Sequence, residues 1–111
     1  MSAASVPIGS GTTALDTPAL LVDLDVMEAN VARIAAVCRQ HGVHWRPHIK
    51  GQKTIGIIRK ELAAGAIGVT CAKLGEAEVM AQAGIRNILI ANQIVGPIKL
   101  RRLVDLLNLA D

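Results

Sequence analysis

Residues 65–84 read GAIGVTCAKLGEAEVMAQAG, a glycine, a short apolar run, a helix-length segment and a second glycine. The run 67–72 has the length and the apolar, β-branched content of a buried strand, and 74–83 has the length and composition of a helix. Gly65 and Gly84 each follow a predicted helix, and glycine is the residue that most readily ends one. The stretch therefore predicts one βα unit preceded by the end of another helix.

The same pattern continues on both sides of this unit. Asp25, with Glu28 three residues later, predicts the N-cap of an earlier helix. Each predicted strand is followed by a helix that returns the chain, so the sheet should be parallel, either a closed eight-unit barrel or an open doubly wound sheet. The predicted strands are 19–24, 43–49, 67–72 and 87–92, and the predicted helices are 25–41, 53–64, 74–83 and 97–109.

Composition excludes several classes of protein. The 111 residues are 51% hydrophobic, but the apolar runs are far shorter than the ~20 residues of a membrane span, and residues 1–18 lack the features of a targeting signal. The net charge of +3 is dispersed, and Trp45 is the one aromatic residue, which disfavours nucleic-acid binding. Cys38 and Cys71 have neither disulfide-framework nor zinc-site spacing. We expect a cytoplasmic protein with a flexible segment at 1–17.

The second predicted strand ends in a run of basic residues. Side chains alternate between the two faces of a strand, so Arg46, His48 and Lys50 share one face, and Pro47 and Ile49 share the other. A basic interior face requires anions, carboxylates or a cofactor to neutralise it. A lysine in that position can form a Schiff base through its amine, although a lysine that only extends into solvent is the commoner case.

Four segments form an ordered set of motifs, namely TPALLVDLD at 17–25, RPHIK at 46–50, CAKLGEAE at 71–78 and ANQIVG at 91–96. In order and spacing they resemble the N-terminal part of the D-threonine aldolase and D-serine dehydratase-like family, pyridoxal-phosphate enzymes with an alanine-racemase-type barrel. The resemblance covers about residues 16–105. It implies an α/β fold in which 18–111 form the first part of a (β/α)8 barrel.

By this resemblance, Lys50 matches the lysine that forms the internal aldimine with pyridoxal 5'-phosphate. The family often reads Lys-Thr-His-Lys where this chain has KGQK at 50–53, so a proton-transfer role at Gln52 is in doubt. The implied activity is that of a lyase on D-β-hydroxy amino acids, with D-threonine cleaved to glycine and an aldehyde. A dehydratase of D-serine or D-3-hydroxyaspartate is the alternative, and the run 92–97 resembles the aldolase branch more closely.

Further candidate site residues lie at the predicted strand ends. His48 is a candidate catalytic residue beneath the cofactor ring, and Arg46 a candidate cofactor ligand deeper in the barrel. Thr70 and Asn92 are candidates to hydrogen-bond the cofactor or the substrate. The alternatives are interior polar residues satisfied by neighbours for the first two, and helix caps for the last two.

No metal site is predicted within the chain, and Glu76 and Glu78 are expected to stabilise a helix dipole. The resemblance implies a divalent metal with ligands outside this chain, a D-amino acid substrate and a homodimer. We expect no nucleic-acid or membrane partner. Strand 19–24 should have an unpaired edge or pair with another chain.

Two other interpretations stay open at this point. The first is a non-catalytic, cofactor-binding barrel fragment or carrier. The second is an open sheet of the receiver type, which is disfavoured because Lys50 occupies the place of the acceptor aspartate. Since an eight-unit barrel takes ~250 residues, we expect the chain to be the opening section of a larger enzyme.

Overall fold

The computed structural model describes residues 6–111, in which helices alternate with short parallel strands. A 3-10 turn at Thr12–Ala14 precedes the first helix. No helix of this part of the chain is long and apolar enough to cross a membrane. The elements are α1 (Leu24–Gln40), α2 (Ile55–Ala63), β1 (Val69–Cys71), α3 (Leu74–Gln82), β2 (Ile88–Ile90) and α4 (Pro97–Leu106).

Three neighbouring segments form the sheet. β1 pairs with β2 in parallel, and the chain around His48 lies along the other edge of β1, where His48 forms a parallel bridge with Thr70. The Ile49 amide donates to the Thr70 carbonyl at 2.9 Å, and the Thr70 amide donates to the Pro47 carbonyl at 2.8 Å. The predicted parallel βα repeat is therefore confirmed.

Helices cover one face of this sheet and leave the other open. Val69 and Cys71 are fully buried, whereas Leu89 on the opposite face is 50% exposed. Pro47 and Ile49 are buried while His48 and Lys50 are exposed, as the alternation along this segment predicts. The buried cluster between sheet and helices consists of Ile49, Ile58, Val69, Cys71, Leu74, Ala77, Met80, Ala81, Ile85, Leu106 and Ala110.

The glycines after α2 and α3 end those helices as predicted. Gly65 has φ +113° and Gly84 has φ +82°, both in the region that favours glycine. After α2, the Ala66 amide donates to the Glu61 carbonyl at 3.1 Å, as in a Schellman motif. The chain then passes directly into the next strand, which keeps each βα connection short.

Two predicted strands differ from the structure. Residues 19–23 form no strand in the part of the chain described, and 43–49 forms only the bridge at His48. A strand needs a partner in register. Residues 19–23 have none there, and the backbone before Pro47 is joined to its neighbour by one bond, from the Ile67 amide to the Trp45 carbonyl.

The start of α1 also differs from the prediction. Asp23, not Asp25, is the N-cap, and its carboxylate accepts a hydrogen bond from the Val26 amide at 3.0 Å. The other helices begin and end within about three residues of their predicted bounds. The prediction of a flexible segment at 1–17 lies partly outside the described residues and stays a prediction.

A close approach at the start of β1 requires a glycine. The Arg46 guanidinium donates to the Asn87 side-chain oxygen at 2.6 Å and to the Asn87 carbonyl at 3.3 Å. Gly68 lies between these groups. A Cβ on Gly68 would overlap the Asn87 carbonyl oxygen and lie 2.5 Å from Arg46 Nη1.

We expect Gly68→Ala to lower the free energy of unfolding by about 1–3 kcal/mol, because the new methyl group meets backbone that cannot withdraw. Gly56→Ala is the matched control. Gly56 lies within α2 with nothing within 4 Å of an added Cβ, so alanine should stabilise the helix by up to about 1 kcal/mol. Urea unfolding of both variants measures the difference, and equal effects would contradict the close approach.

Candidate active site

The carboxyl ends of the parallel segments bring His48 and Thr70 side by side on the open face, and Lys50 lies in the turn that follows His48. His48 lies beside Thr70 in the parallel bridge, and bridge partners project from the same face of a sheet. Lys50 follows two residues later, and its backbone amide donates to His48 Nδ1 at 3.3 Å. Because Nδ1 is the acceptor, neutral His48 carries its proton on Nε2. Alternation along the sequence predicts His48 and Lys50 on one face, and Thr70 is predicted separately as a residue at a later strand end.

The Lys50 side chain is exposed. Within residues 6–111 its ammonium has neither a hydrogen-bond partner nor an ion-pair partner. By contrast, Lys53 pairs with Glu76 and Lys60 pairs with Glu28. The Lys50 amine is therefore available to a ligand on the open face.

The other two candidate residues are engaged in other contacts. Asn92 follows β2 and donates to the Ala72 carbonyl at 2.8 Å, so it joins two strand ends and does not cap a helix. It lines a cavity of about 280 Å³ together with Lys73 and Lys99. Arg46 is bound to Asn87 near the amino ends of the strands. Roles for Arg46 and Asn92 in cofactor binding stay predictions.

The turn that follows Lys50 is held by several contacts. The Lys53 amide donates to the Ile49 carbonyl at 2.9 Å, which closes the turn. Lys53 itself has φ +47°, a conformation uncommon for a residue with a side chain. The Thr54 hydroxyl donates to the Gln52 carbonyl at 2.7 Å.

Gln52, where the sequence departs from the family pattern, contacts a buried carboxylate of α2. Its amide nitrogen lies 3.3 and 3.5 Å from the two carboxylate oxygens of Glu61, whose residue is 9% exposed. Burial raises the pKa of Glu61, and the hydrogen bond from Gln52 opposes that rise. Sequence reasoning missed Glu61, because a glutamate on a helix is ordinarily solvent-exposed.

Glu76, in the first turn of α3, is a second buried carboxylate. Its carboxylate accepts a hydrogen bond from the Ala72 amide at 2.7 Å and pairs with Lys53 Nζ at 3.2 Å. Burial raises the pKa of Glu76, but the bonds from Ala72 and Lys53 outweigh it, so the pKa lies below its ordinary value. Glu76 lies in the first turn of α3, where its predicted role is to stabilise the helix dipole. It also contacts Lys53 in the turn after Lys50, and spacing along the sequence does not predict that contact.

The described part of the chain holds no cluster of metal ligands, and its buried cysteine, Cys71, has an unreactive thiol. No group of three His, Cys, Asp or Glu side chains among residues 6–111 could hold a metal ion. Cys71 is buried and unbridged. Burial and the nearby Glu76 carboxylate raise the pKa of its thiol to about 11, so Cys71 stays protonated near neutral pH.

Comparison with known proteins decides the family. The family described as alanine racemase, N-terminal domain, matches residues 22–110. The chain belongs to this family. The match confirms the fold that the four motifs imply, and it includes the Lys50 turn and the sheet.

Relatives of this alanine racemase N-terminal domain include two aldolases and a dehydratase. A D-threonine aldolase from Arthrobacter is 41% identical over 102 residues, which are 92% of this chain and 27% of the relative. A 3-hydroxy-D-aspartate aldolase from Paracoccus denitrificans is 34% identical over 99 residues, 88% of this chain and 26% of the relative. The chain thus spans about a quarter of the length of the curated relatives it matches.

Solved structures also match this domain over most of its length. The crystal structure of D-threonine aldolase from Filomicrobium marinum superposes with a TM-score of 0.84 at 46% identity, over 86% of this chain and 26% of that one. D-threo-3-hydroxyaspartate dehydratase from Delftia superposes with a TM-score of 0.79 at 40% identity, over 84% of this chain and 24% of that one. The described residues therefore adopt the fold of part of an alanine-racemase-type barrel.

We expect Glu76→Gln to lower the free energy of unfolding by about 1–2 kcal/mol at neutral pH. Glutamine still accepts from Ala72 but loses the charge, and Lys53 is 55% exposed, so solvent screens part of the ion pair. Because the folded pKa is depressed, the stabilisation is full above the ordinary value of 4.5 and is lost as pH falls through the folded pKa.

Urea unfolding of wild type and Glu76→Gln between neutral and acid pH measures whether the difference between their free energies of unfolding disappears as the pH falls. Glu28→Gln is the control, since Glu28 forms an ion pair between exposed side chains and should have little effect at any pH. A difference between wild type and Glu76→Gln that persists at the lowest pH would contradict the assignment.

Proposed function

We propose that this domain is the cofactor-binding opening section of a pyridoxal-phosphate-dependent lyase that acts on D-β-hydroxy amino acids. The observation that carries the proposal is the unpaired Lys50 amine, exposed beside His48 and Thr70 at the carboxyl end of the parallel segments. This edge is where parallel α/β folds place their chemistry. The names of the relatives, two aldolases and a dehydratase of D-hydroxy amino acids, support the substrate class.

The residues on the open face fit this cofactor. Lys50 would hold the cofactor through its primary amine, which is the group that reacts with an aldehyde. Alternation places basic or neutral side chains on this face of the three segments, and such a face suits the anionic phosphate and carboxylate groups of cofactor and substrate. When bound, the cofactor draws electrons from the bonds at the α-carbon of an amino acid.

Each residue of the group has a distinct role in the proposal. Lys50 would be the residue that holds the cofactor covalently. His48, with Nδ1 engaged by the Lys50 amide, offers Nε2–H as a donor to the bound group or as the atom that moves a proton. The Thr70 hydroxyl, next to His48 in the bridge, is a second donor and acceptor on the same face.

Cleavage of the Cα–Cβ bond is the reaction we favour. D-Threonine then gives glycine and acetaldehyde, with the proton of the β-hydroxyl removed and one proton returned to the α-carbon. Dehydration is the alternative, because the Delftia dehydratase is 44% identical over 77 residues. A non-catalytic carrier of the cofactor is a third possibility. We also propose that the whole protein is active as a homodimer and lies in the cytoplasm.

A divalent metal would need ligands from outside the described residues. One mutant structure of the Delftia dehydratase is of its metal-free form. Residues 6–111 of this chain hold no ligand cluster, so the described residues do not fit a metal ion. We therefore propose that any divalent ion is held by residues outside this range.

We expect Lys50→Ala to abolish covalent attachment of pyridoxal phosphate, because the Lys50 backbone is bonded to His48 in the strand-end group to which we assign the cofactor. The protein is incubated with the cofactor, reduced with borohydride and digested, and the modified peptide is identified by mass. Lys60→Ala is the control, since Lys60 lies on α2 and pairs with Glu28. Equal labelling of wild type and Lys50→Ala would contradict the proposal.

Product analysis separates the candidate reactions. We expect D-threonine to give glycine and acetaldehyde in equal amounts, with no ammonia. D-threo-3-hydroxyaspartate should give glycine by cleavage if the protein is an aldolase, and ammonia with a 2-oxo acid if it is a dehydratase. Cofactor labelling at Lys50 without turnover of either substrate would support the carrier.

A further inference from the structure

Two buried carboxylates hold the turn that carries the Lys50 amine. Among residues 6–111, the buried charged side chains are Glu61, 9% exposed, and Glu76, 8% exposed. Each contacts one residue of the turn directly after Lys50. Glu61 on α2 receives the Gln52 amide, and Glu76 on α3 receives the Lys53 ammonium.

The turn is thereby restrained from both sides. Before Lys50, Ile49 is hydrogen-bonded to Thr70 on β1. After it, Gln52 and Lys53 are tied to two different helices. Lys53 also adopts φ +47°, a conformation that costs free energy for a residue with a side chain and persists only where its surroundings hold it.

Within this restrained turn the Lys50 side chain alone is left untied at the open face. Its backbone amide is bonded to His48 Nδ1 at 3.3 Å, and Gly51 has nothing within 4 Å of an added Cβ. The backbone of Lys50 is therefore held while its amine is free. Such an arrangement preorganises a reactive group without blocking it.

We propose that Gln52 and Lys53 are positioning residues that act through Glu61 and Glu76 to hold the Lys50 amine in place for the cofactor. This inference rests on the proposed function. Two buried carboxylates are not needed merely to fill space, since apolar residues of similar volume usually serve stability as well or better. Their shared contact with one turn indicates a positional role.

The first test is the rate at which pyridoxal phosphate attaches to the whole protein, followed by visible absorbance in rapid mixing. We expect Lys53→Met and Gln52→Leu each to slow attachment by about tenfold to a hundredfold, as small displacements of a reacting group do. Lys53→Arg keeps the ion pair and should restore most of the rate, and Glu61→Gln keeps an acceptor for Gln52 and should do the same. Urea unfolding verifies that each variant is folded.

Lys60→Met is the matched control. It removes a lysine–carboxylate contact between elements, Lys60 Nζ to Glu28 at 2.5 Å, that does not involve the Lys50 turn. Its attachment rate should equal that of wild type. Wild-type rates in Lys53→Met and Gln52→Leu, or a loss equally large in Lys60→Met, would overturn the inference.

Hydrogen exchange of the Lys53 amide provides a readout that needs no cofactor. This amide is bonded to the Ile49 carbonyl, so release of the turn should speed its exchange in Lys53→Met and Glu76→Gln but not in Lys60→Met. Unchanged exchange would overturn the inference. If wild type fails to take up the cofactor, the proposed function falls, while exchange still decides whether the carboxylates hold the turn.

Discussion

The parallel pairing of the Pro47–Ile49 backbone with Thr70 is the interaction on which the rest of this structure depends. Its two hydrogen bonds, 2.9 and 2.8 Å long, fix the register between this segment and β1. Because side chains alternate along a strand, that register buries Ile49 against the helices and turns His48 toward the open face. A slip of one residue would bury the basic side chains and expose the apolar ones.

One-sided coverage of the sheet explains how a basic face persists in a chain that is 51% hydrophobic. Apolar side chains of α2, α3 and α4 fill the space over one face, so within the described residues the basic face lies outside the apolar core. The carboxylates that are buried, Glu61 and Glu76, are those with partners in the Lys50 turn.

Much of this arrangement is predictable from local pattern, but not all of it. Residues 65–84 predict their strand and helix closely because glycine caps, chain length and apolar spacing all agree there. The predicted strand 19–24 is wrong because a strand depends on a partner that no local signal supplies. Asp23 replaces Asp25 as the cap because α1 begins at Leu24. Aspartate suits an N-cap at either position, so residue type alone does not distinguish the two. The contact between Asn87 and Arg46 is also not predictable from local pattern, because the two residues are 41 positions apart.

The sequence by itself determined the βα order, the alternation that groups Arg46, His48 and Lys50 on one face, and the motifs that indicate the family. These properties follow from residue type and from spacing along the chain, which repeat with the period of a helix or strand. Only the tertiary structure decided which polar side chains have hydrogen-bond or ion-pair partners and which have none among the described residues. It engages Arg46 with Asn87, Gln52 with Glu61 and Lys53 with Glu76, and leaves the Lys50 amine unpaired within the described residues. Such contacts join residues 9 to 41 positions apart in different segments, so they depend on how the helices pack and not on the period of one helix or strand.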